Sequence, residues 1–157
     1  MKSSLTTETL KQFRIIIGAT RLHFRTLEKA CGISGSQVWI LAAISQSPGI
    51  TVSMLSAALS VHVSTASNML NKLAKAGLVE RHRSEHDRRV VNLHLTKKGL
   101  TVLNRAPQPI SGLVPYALEK LAKKDLAGLN KSLALLIKEM GYVDMDSAND
   151  TLSDLLR

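Results

Sequence analysis

Between Leu78 and Leu95 the hydrophobic period of this chain changes, and that change constrains its fold more than any other feature. Upstream, apolar residues recur every three or four positions, which draws a stripe along a helix. From Leu78 to Arg83 the chain turns extended in character. Val91, Leu93 and Leu95 then alternate with Asn92 and His94, the period-two signature of a half-buried strand. The polar stretch Ser84-Glu85-His86-Asp87-Arg88 between these runs is predicted to be a hairpin tip. A chain that is helical on both sides of one short hairpin is mainly α with a small β element.

The helices can be placed around that hairpin. Leu10, Phe13, Ile17, Thr20, Phe24 and Leu27 fall at alternating three- and four-residue spacings, which predicts a helix over 5–30 with one apolar seam. Gly32 suits its C-terminal stop. Ser34 with Gln37 three residues on is a capping-box pattern, with Ile33 placed to staple. A second helix is therefore predicted over 35–47, turning Val38, Leu41 and Ile44 inward until Pro48-Gly49 ends it. Thr51 caps a short helix through Leu55, Ala58 and Leu59. After the tight connection Ser60-Val61-His62-Val63, another helix runs to Ala76, buries Met69, Leu70 and Leu73, and stops at Gly77. Two short helices across a four-residue turn are a helix-turn-helix, and the hairpin after them makes it winged.

Thr96 caps a helix expected over 97–117, which Pro107, Pro109 and Pro115 must bend or interrupt. Leu126, Leu129, Leu133, Leu136 and Met140 predict a last helix over 123–140. Residues 141–157 hold four aspartates and are expected to be a weakly ordered acidic tail, with one terminal turn around Leu152, Leu155 and Leu156. The organisation is then a single chain with a winged helix-turn-helix lobe at 34–98 and a helical dimerisation region at 1–31 and 99–140. The two terminal helices carry more apolar surface than one such lobe can cover, so their partners are each other and a second subunit.

Charge points to a partner. Lys and Arg number 21 against 12 Asp and Glu, a formal +9. Residues 60–105 hold nine of the cations, three of the acids and four of the five histidines, whereas residues 119–157 are net negative. A positive balance concentrated in the helix-turn-helix and hairpin favours a polyanion, with double-stranded DNA first. The lone cysteine, Cys31, excludes an internal disulfide and a cysteine-based zinc site. Ile15-Ile16-Ile17 is flanked by Arg14 and Arg21, so neither a signal peptide nor a membrane span is expected, and the reducing cytoplasm is the default compartment.

Three stretches carry a family resemblance: Pro48 to Leu55, Ser64-Thr65-Ala66-Ser67-Asn68, and Leu73-Ala74-Lys75-Ala76-Gly77-Leu78-Val79. So does the wing, with its Asp87-Arg88-Arg89 tip, its alternating strand and then Leu95-Thr96-Lys97-Lys98-Gly99. In this order the chain resembles the MarR family of bacterial transcriptional regulators over about residues 10–140. The resemblance implies a homodimer on pseudo-palindromic DNA, with interleaved terminal helices and a small ligand between dimer base and DNA lobe. It further implies a ligand-responsive regulator, expected to be a repressor. One departure is His62, at the expected N-cap position where many members have Ser; either Ser64 takes over the capping or His62 faces the DNA backbone.

The recognition helix should present Ser64, Thr65, Ser67, Asn68 and Lys72 opposite its buried side. Small hydroxyls at a helix N-terminus suit phosphate, and Asn68 has the donor and acceptor needed to read adenine in the major groove. Lys72 and Lys75 suit phosphate, as do Arg83 and Arg88. Arg89 is the candidate for the narrow, electronegative minor groove. The resemblance gives Asp87 the role of orienting that arginine. A polar, solvated helix face and loop is the competing explanation. The alternative function is a winged-helix module that docks protein or RNA and reads no operator; such a module has no need of Asp87-Arg88-Arg89.

His82-Arg83-Ser84-Glu85-His86 matches a zinc-peptidase pattern, but that chemistry needs a helix, an open position and a third ligand. Flanking arginines disfavour a cation, so no metal is assigned. No phosphate loop, nucleophile motif or carboxylate pair supports catalysis or a cofactor. Cys31 does not match the position of the sensing cysteine in redox-responsive members and reads as a packed thiol. Arg14, His23 and Trp39 are candidates for an effector pocket between the first two helices; the competing reading makes Trp39 core and His23 a subunit contact. Arg14, Arg21 and Arg25 either pair with acids of a partner's tail or face water.

Overall fold

A computed structural model describes residues 2–84, 87 and 89–156. The first helix, α1 (Lys2–Cys31), is 30 residues long. At about 1.5 Å per residue it spans some 45 Å. Of its five threonines, Thr9, Thr20 and Thr26 donate their hydroxyls back to the carbonyls of Leu5, Ile16 and Leu22 and so sit in the helix without breaking it. Gly32 ends it at φ +72°, with its N–H on the Glu28 carbonyl.

Ser34 and Gln37 then close the expected capping box: the Gln37 N–H donates to Ser34 Oγ and the Ser34 N–H to Gln37 Oε1. The helix they start, α2 (Gly35–Gln46), buries Val38, Ile40, Leu41 and Ile44 and forms the centre of the core. α3 (Val52–Leu59) begins under Thr51, whose Oγ1 accepts the Met54 N–H, and ends at Ser60 in a left-handed conformation. α4 (Val63–Lys75) follows directly. Strands β1 (Val79–Arg83) and β2 (Val91–Leu95) pair antiparallel in the register Val79↔Leu95 to Arg83↔Val91. Leu93 anchors the hairpin. Its side chain is fully buried, and its backbone accepts from the Gly49 N–H and donates to the Ile50 carbonyl. The mainly helical winged helix-turn-helix expected from the sequence is what forms.

The segment Leu-Thr-x-x-Gly acquires a physical reason here. Thr96 Oγ1 accepts the Gly99 N–H and donates to the Gly77 carbonyl, locking α5 (Lys97–Leu103) onto the end of α4. Gly99 is pressed against the Leu78 carbonyl so closely that any Cβ would collide with it.

The structure differs from the sequence reading in two places. The helix expected over 97–117 stops at Leu103 and resumes only as α6 (Leu113–Lys120). Pro107 and Pro109 lack the N–H that would continue it, while Pro115 is tolerated in the first turn of α6, where that N–H has no partner anyway. After α7 (Lys123–Glu139), the acidic segment is docked rather than loose. It forms a 3-10 turn (Met145–Asn149) and a short helix α8 (Leu152–Leu155), and Thr151 and Ser153 are buried. Gly35 is what admits it: a Cβ there would meet the Phe24 ring at 2.6 Å and Ser153 Oγ at 3.2 Å.

Candidate nucleic-acid interface

Burial decides which side of α4 faces outward. Ala66, Met69, Leu70 and Leu73 pack inward, which leaves Ser64, Asn68 and Lys72 exposed and Thr65 and Ser67 half-buried. The helix starts at His62, whose side chain makes no hydrogen bond to it. Ser34, Thr51, Thr96 and Thr151 each offer a hydroxyl to an amide of the helix they begin. At α4 that service is missing, and among the described residues Ser64 does not supply it. His62 is exposed beside Ser64, so the first-turn amides are left for an outside acceptor, which suits a phosphate oxygen.

The wing projects its polar groups into solvent. Beyond the buried Val79, residues Glu80, Arg81, His82 and Arg83 of β1 are exposed. At the tip the Ser84 N–H donates to the Val90 carbonyl and the Val90 N–H to the Asp87 carbonyl, both at 2.9 Å. Asp87 Oδ1 accepts the Arg89 N–H at 2.9 Å. Asp87 therefore acts on Arg89 through the backbone, as in an Asx turn. Arg89 is exposed and makes no ion pair with another described residue. Arg88 lies outside the described residues, as do Glu85 and His86.

Helix and wing are joined by contacts that the sequence reading did not single out. The Arg81 guanidinium donates to Asn71 Oδ1 at 2.8 Å, tying β1 to the outer side of α4. The Lys98 ammonium donates to the Ala76 carbonyl at 2.8 Å. The His82 and His94 rings stack across the strands with centroids 5.0 Å apart, and Glu80 reaches His82 at 3.4 Å. Among the described residues of this surface, Glu80 contacts His82 and Asp87 accepts the Arg89 amide. Lys72, Lys75, Arg83 and Arg89 are exposed around them, so cations outnumber acids among the described residues of this face. No sequence spacing pairs Asn71 with Arg81; only the fold brings them together.

A cavity of about 660 Å³ opens between α2, α3 and the residues leading into α6. Of the three effector-pocket candidates, only Trp39 lines it. His23 instead holds one wall: its Nε2 donates to the Pro109 carbonyl at 2.8 Å, and because a carbonyl only accepts, Nε2 carries the proton. Arg14 is exposed on α1 and does not line the cavity. Gln46, Gln108, Ser111 and Tyr116, which do line it, were not singled out from sequence.

A sequence model of the MarR family matches residues 31–90, which span the helix-turn-helix and most of the wing. Over those residues the chain is similar to the MarR family. A Thauera aromatica protein named as a transcriptional regulatory protein for the hcr operon is 33% identical over 94 residues, 60% of this chain and 57% of that protein. The terminal helices find their counterparts in solved structures. Streptococcus pneumoniae FabT in complex with DNA shares 27% identity with a TM-score of 0.55, covering 89% of this chain and 97% of its own. A mutant MarR from E. coli complexed with operator DNA has the same fold at 24% identity and a TM-score of 0.55, covering 88% and 99%.

Of the zinc-peptidase pattern, Glu85 and His86 lie outside the described residues. His82 lies on a strand and stacks on His94. Among the described residues no three His, Cys, Asp or Glu side chains are grouped to hold a metal ion. Cys31 is 7% exposed. Burial pushes its thiol up from the ordinary value, against a smaller opposing pull from Arg105. No helix of the described residues is long and apolar enough to cross a membrane.

Proposed function

We propose that this chain is a DNA-binding transcriptional repressor that works as a homodimer on a palindromic operator. α4 lies in the major groove, with Asn68 toward base edges and Ser64, Thr65, Ser67, Lys72 and the His62 end toward phosphates. Arg89, steadied by Asp87, enters the adjacent minor groove, and Arg83 and Arg88 meet the backbone. The observation that carries this reading is the cationic surface formed jointly by the uncapped start of α4 and the exposed wing. The DNA complexes of FabT and MarR, which share this fold, support it.

Dimerisation is supported by the terminal helices. Leu5, Leu10, Ile16 and Ile17 of α1 and Leu129, Leu133, Leu136 and Met140 of α7 are exposed in one chain. An apolar cleft of about 670 Å³ between the two helices is unfilled by the chain itself. A second copy covers such surfaces with a two-fold, which spaces the recognition helices about one turn of DNA apart. The cavity beside Trp39 is the effector site, and an effector acts by binding better to one separation of the two α4 helices than to another.

Selection from a random duplex pool, followed by mobility-shift titration, tests the proposal. The expected result is a palindromic site bound with a steep salt dependence, each neutralised phosphate adding about −0.9 to the log–log slope. Equal affinity for all duplexes, or a response flat in salt, would overturn it. A reporter with the selected site placed over its promoter should be silenced by the chain.

A further inference from the structure

The effector cavity is uncharged in a chain with 21 cationic and 12 acidic side chains. Among the described residues, nothing that lines it carries a charge. Its polar groups are the amides of Gln46 and Gln108, the hydroxyls of Ser111 and Tyr116, and the indole of Trp39. Lys120 places its ammonium 4.2 Å from the centroid of the Tyr116 ring and does not line the cavity. His23 spends its Nε2 proton on the Pro109 carbonyl.

Resting on the reading of this cavity as the effector site, we propose that it takes an uncharged aromatic ligand bearing a carboxamide-like group, and selects against aromatic carboxylates. A carboxylate entering here gives up part of its hydration and finds no cation among the described lining residues in return, a loss that hydrogen bonds from neutral donors only partly offset. A primary amide has both a donor and an acceptor, so it can exchange two hydrogen bonds with a glutamine side chain. Trp39 and Tyr116 supply flat apolar walls for the ring. The volume is in the range of sites that enclose small molecules.

The chain contains one tryptophan, so its fluorescence reports this cavity directly. The full-length protein is titrated with benzamide and with benzoate, near-isosteres that differ in charge, at about pH 8, where benzoate and carboxylates generally are ionised. Benzamide is expected to quench Trp39 with an affinity at least about tenfold tighter than benzoate. Gln46→Arg, a change at an exposed helix end, should reverse the preference by giving the carboxylate a partner. Equal binding, tighter binding of benzoate to the wild type, or no binding of either probe up to about 10 mM would overturn the proposal. A Gln46→Arg protein that folds but keeps the wild-type preference would also count against it. The mobility-shift titration is read separately. Operator binding without benzamide binding sinks this proposal alone, and benzamide binding without operator binding sinks the regulator reading alone.

Discussion

The lobe from α2 to α5 and the pair formed by α1 and α7 are built from the same residue types, yet one is finished within the chain and the other is not. In the lobe Val38, Ile40, Leu41, Leu55, Leu70, Leu73 and Leu93 are almost wholly removed from solvent. On α7, Leu133 and Leu136 remain 38% and 42% exposed, and on α1 Ile15 is 70% exposed. The helical seams are equally regular in both. What differs is the number of neighbours the chain can supply. α2 is surrounded by α1, α3, α4, α5 and β2, whereas no described element covers the outer side of α7. A seam with no cover inside its own chain is an interface, and the lobe is a module that such an interface positions.

The sharpest way to break that comparison is to substitute leucines in each region. Leu70→Ala opens a cavity in a closed core and should cost about 2–5 kcal/mol of stability. Thermal unfolding should show the loss at every protein concentration. Replacing Leu133 and Leu136 together by Asp should instead abolish the dependence of Tm on protein concentration and give monomers in sedimentation. Operator affinity should fall more than about tenfold, because each half-site is then bound alone. Dimers surviving that double substitution would mean that α7 is not the interface.

Next in size is the wing. Arg89→Ala removes an exposed side chain with no ion pair to another described residue, so it should weaken operator binding by about 1–3 kcal/mol and leave Tm unchanged. Asp87→Ala deletes the acceptor for the Arg89 N–H, the one side-chain hydrogen bond of Asp87 among the described residues. That amide is exposed and water replaces the acceptor, so the loss should be about 1 kcal/mol or less. A mobility-shift titration of both variants fixes the order. If Asp87→Ala proved the more damaging, Asp87 would be doing more than shaping the turn.

The two regions also differ in how much the sequence disclosed. The caps at Ser34, Thr51 and Thr96, the buried side of α4 and the strand of Val91, Leu93 and Leu95 follow from local rules, because each depends on residues within one or two turns. The bond from Arg81 to Asn71 and the contact that makes Gly99 obligatory join residues whose closeness only the fold creates. The effector cavity was only partly legible for the same reason. Trp39 was one of three candidates named from sequence, but Gln46 and Gln108 line one cavity only because residues 104–112 leave the helix and return against α2. The acidic tail was misjudged on composition. Its aspartates look solvated, while its docking rests on Thr151 and Ser153, small residues that carry no hydrophobic signal.

Cys31 stands at the join between the two regions, and the smallest effect expected here comes from it. It ends α1 but is buried with the lobe. Burial raises its folded-state pKa, so the thiol stays protonated in the native protein at a pH where the unfolded chain has begun to ionise. The folded state then binds more protons, and the contribution to stability is full below the unfolded pKa and declines as pH rises through the folded one. Because the thiolate is the reacting form, maleimide labelling of the native protein at neutral pH should be slow and should accelerate with pH. The comparison predicts which variants change this rate. Leu70→Ala loosens the core around Cys31 and should speed labelling. Asp at Leu133 and Leu136 disturbs only the far surface and should leave the rate near that of the wild type. Fast labelling in the double variant would show that lobe and interface open together, so that the lobe's packing depends on the second subunit after all.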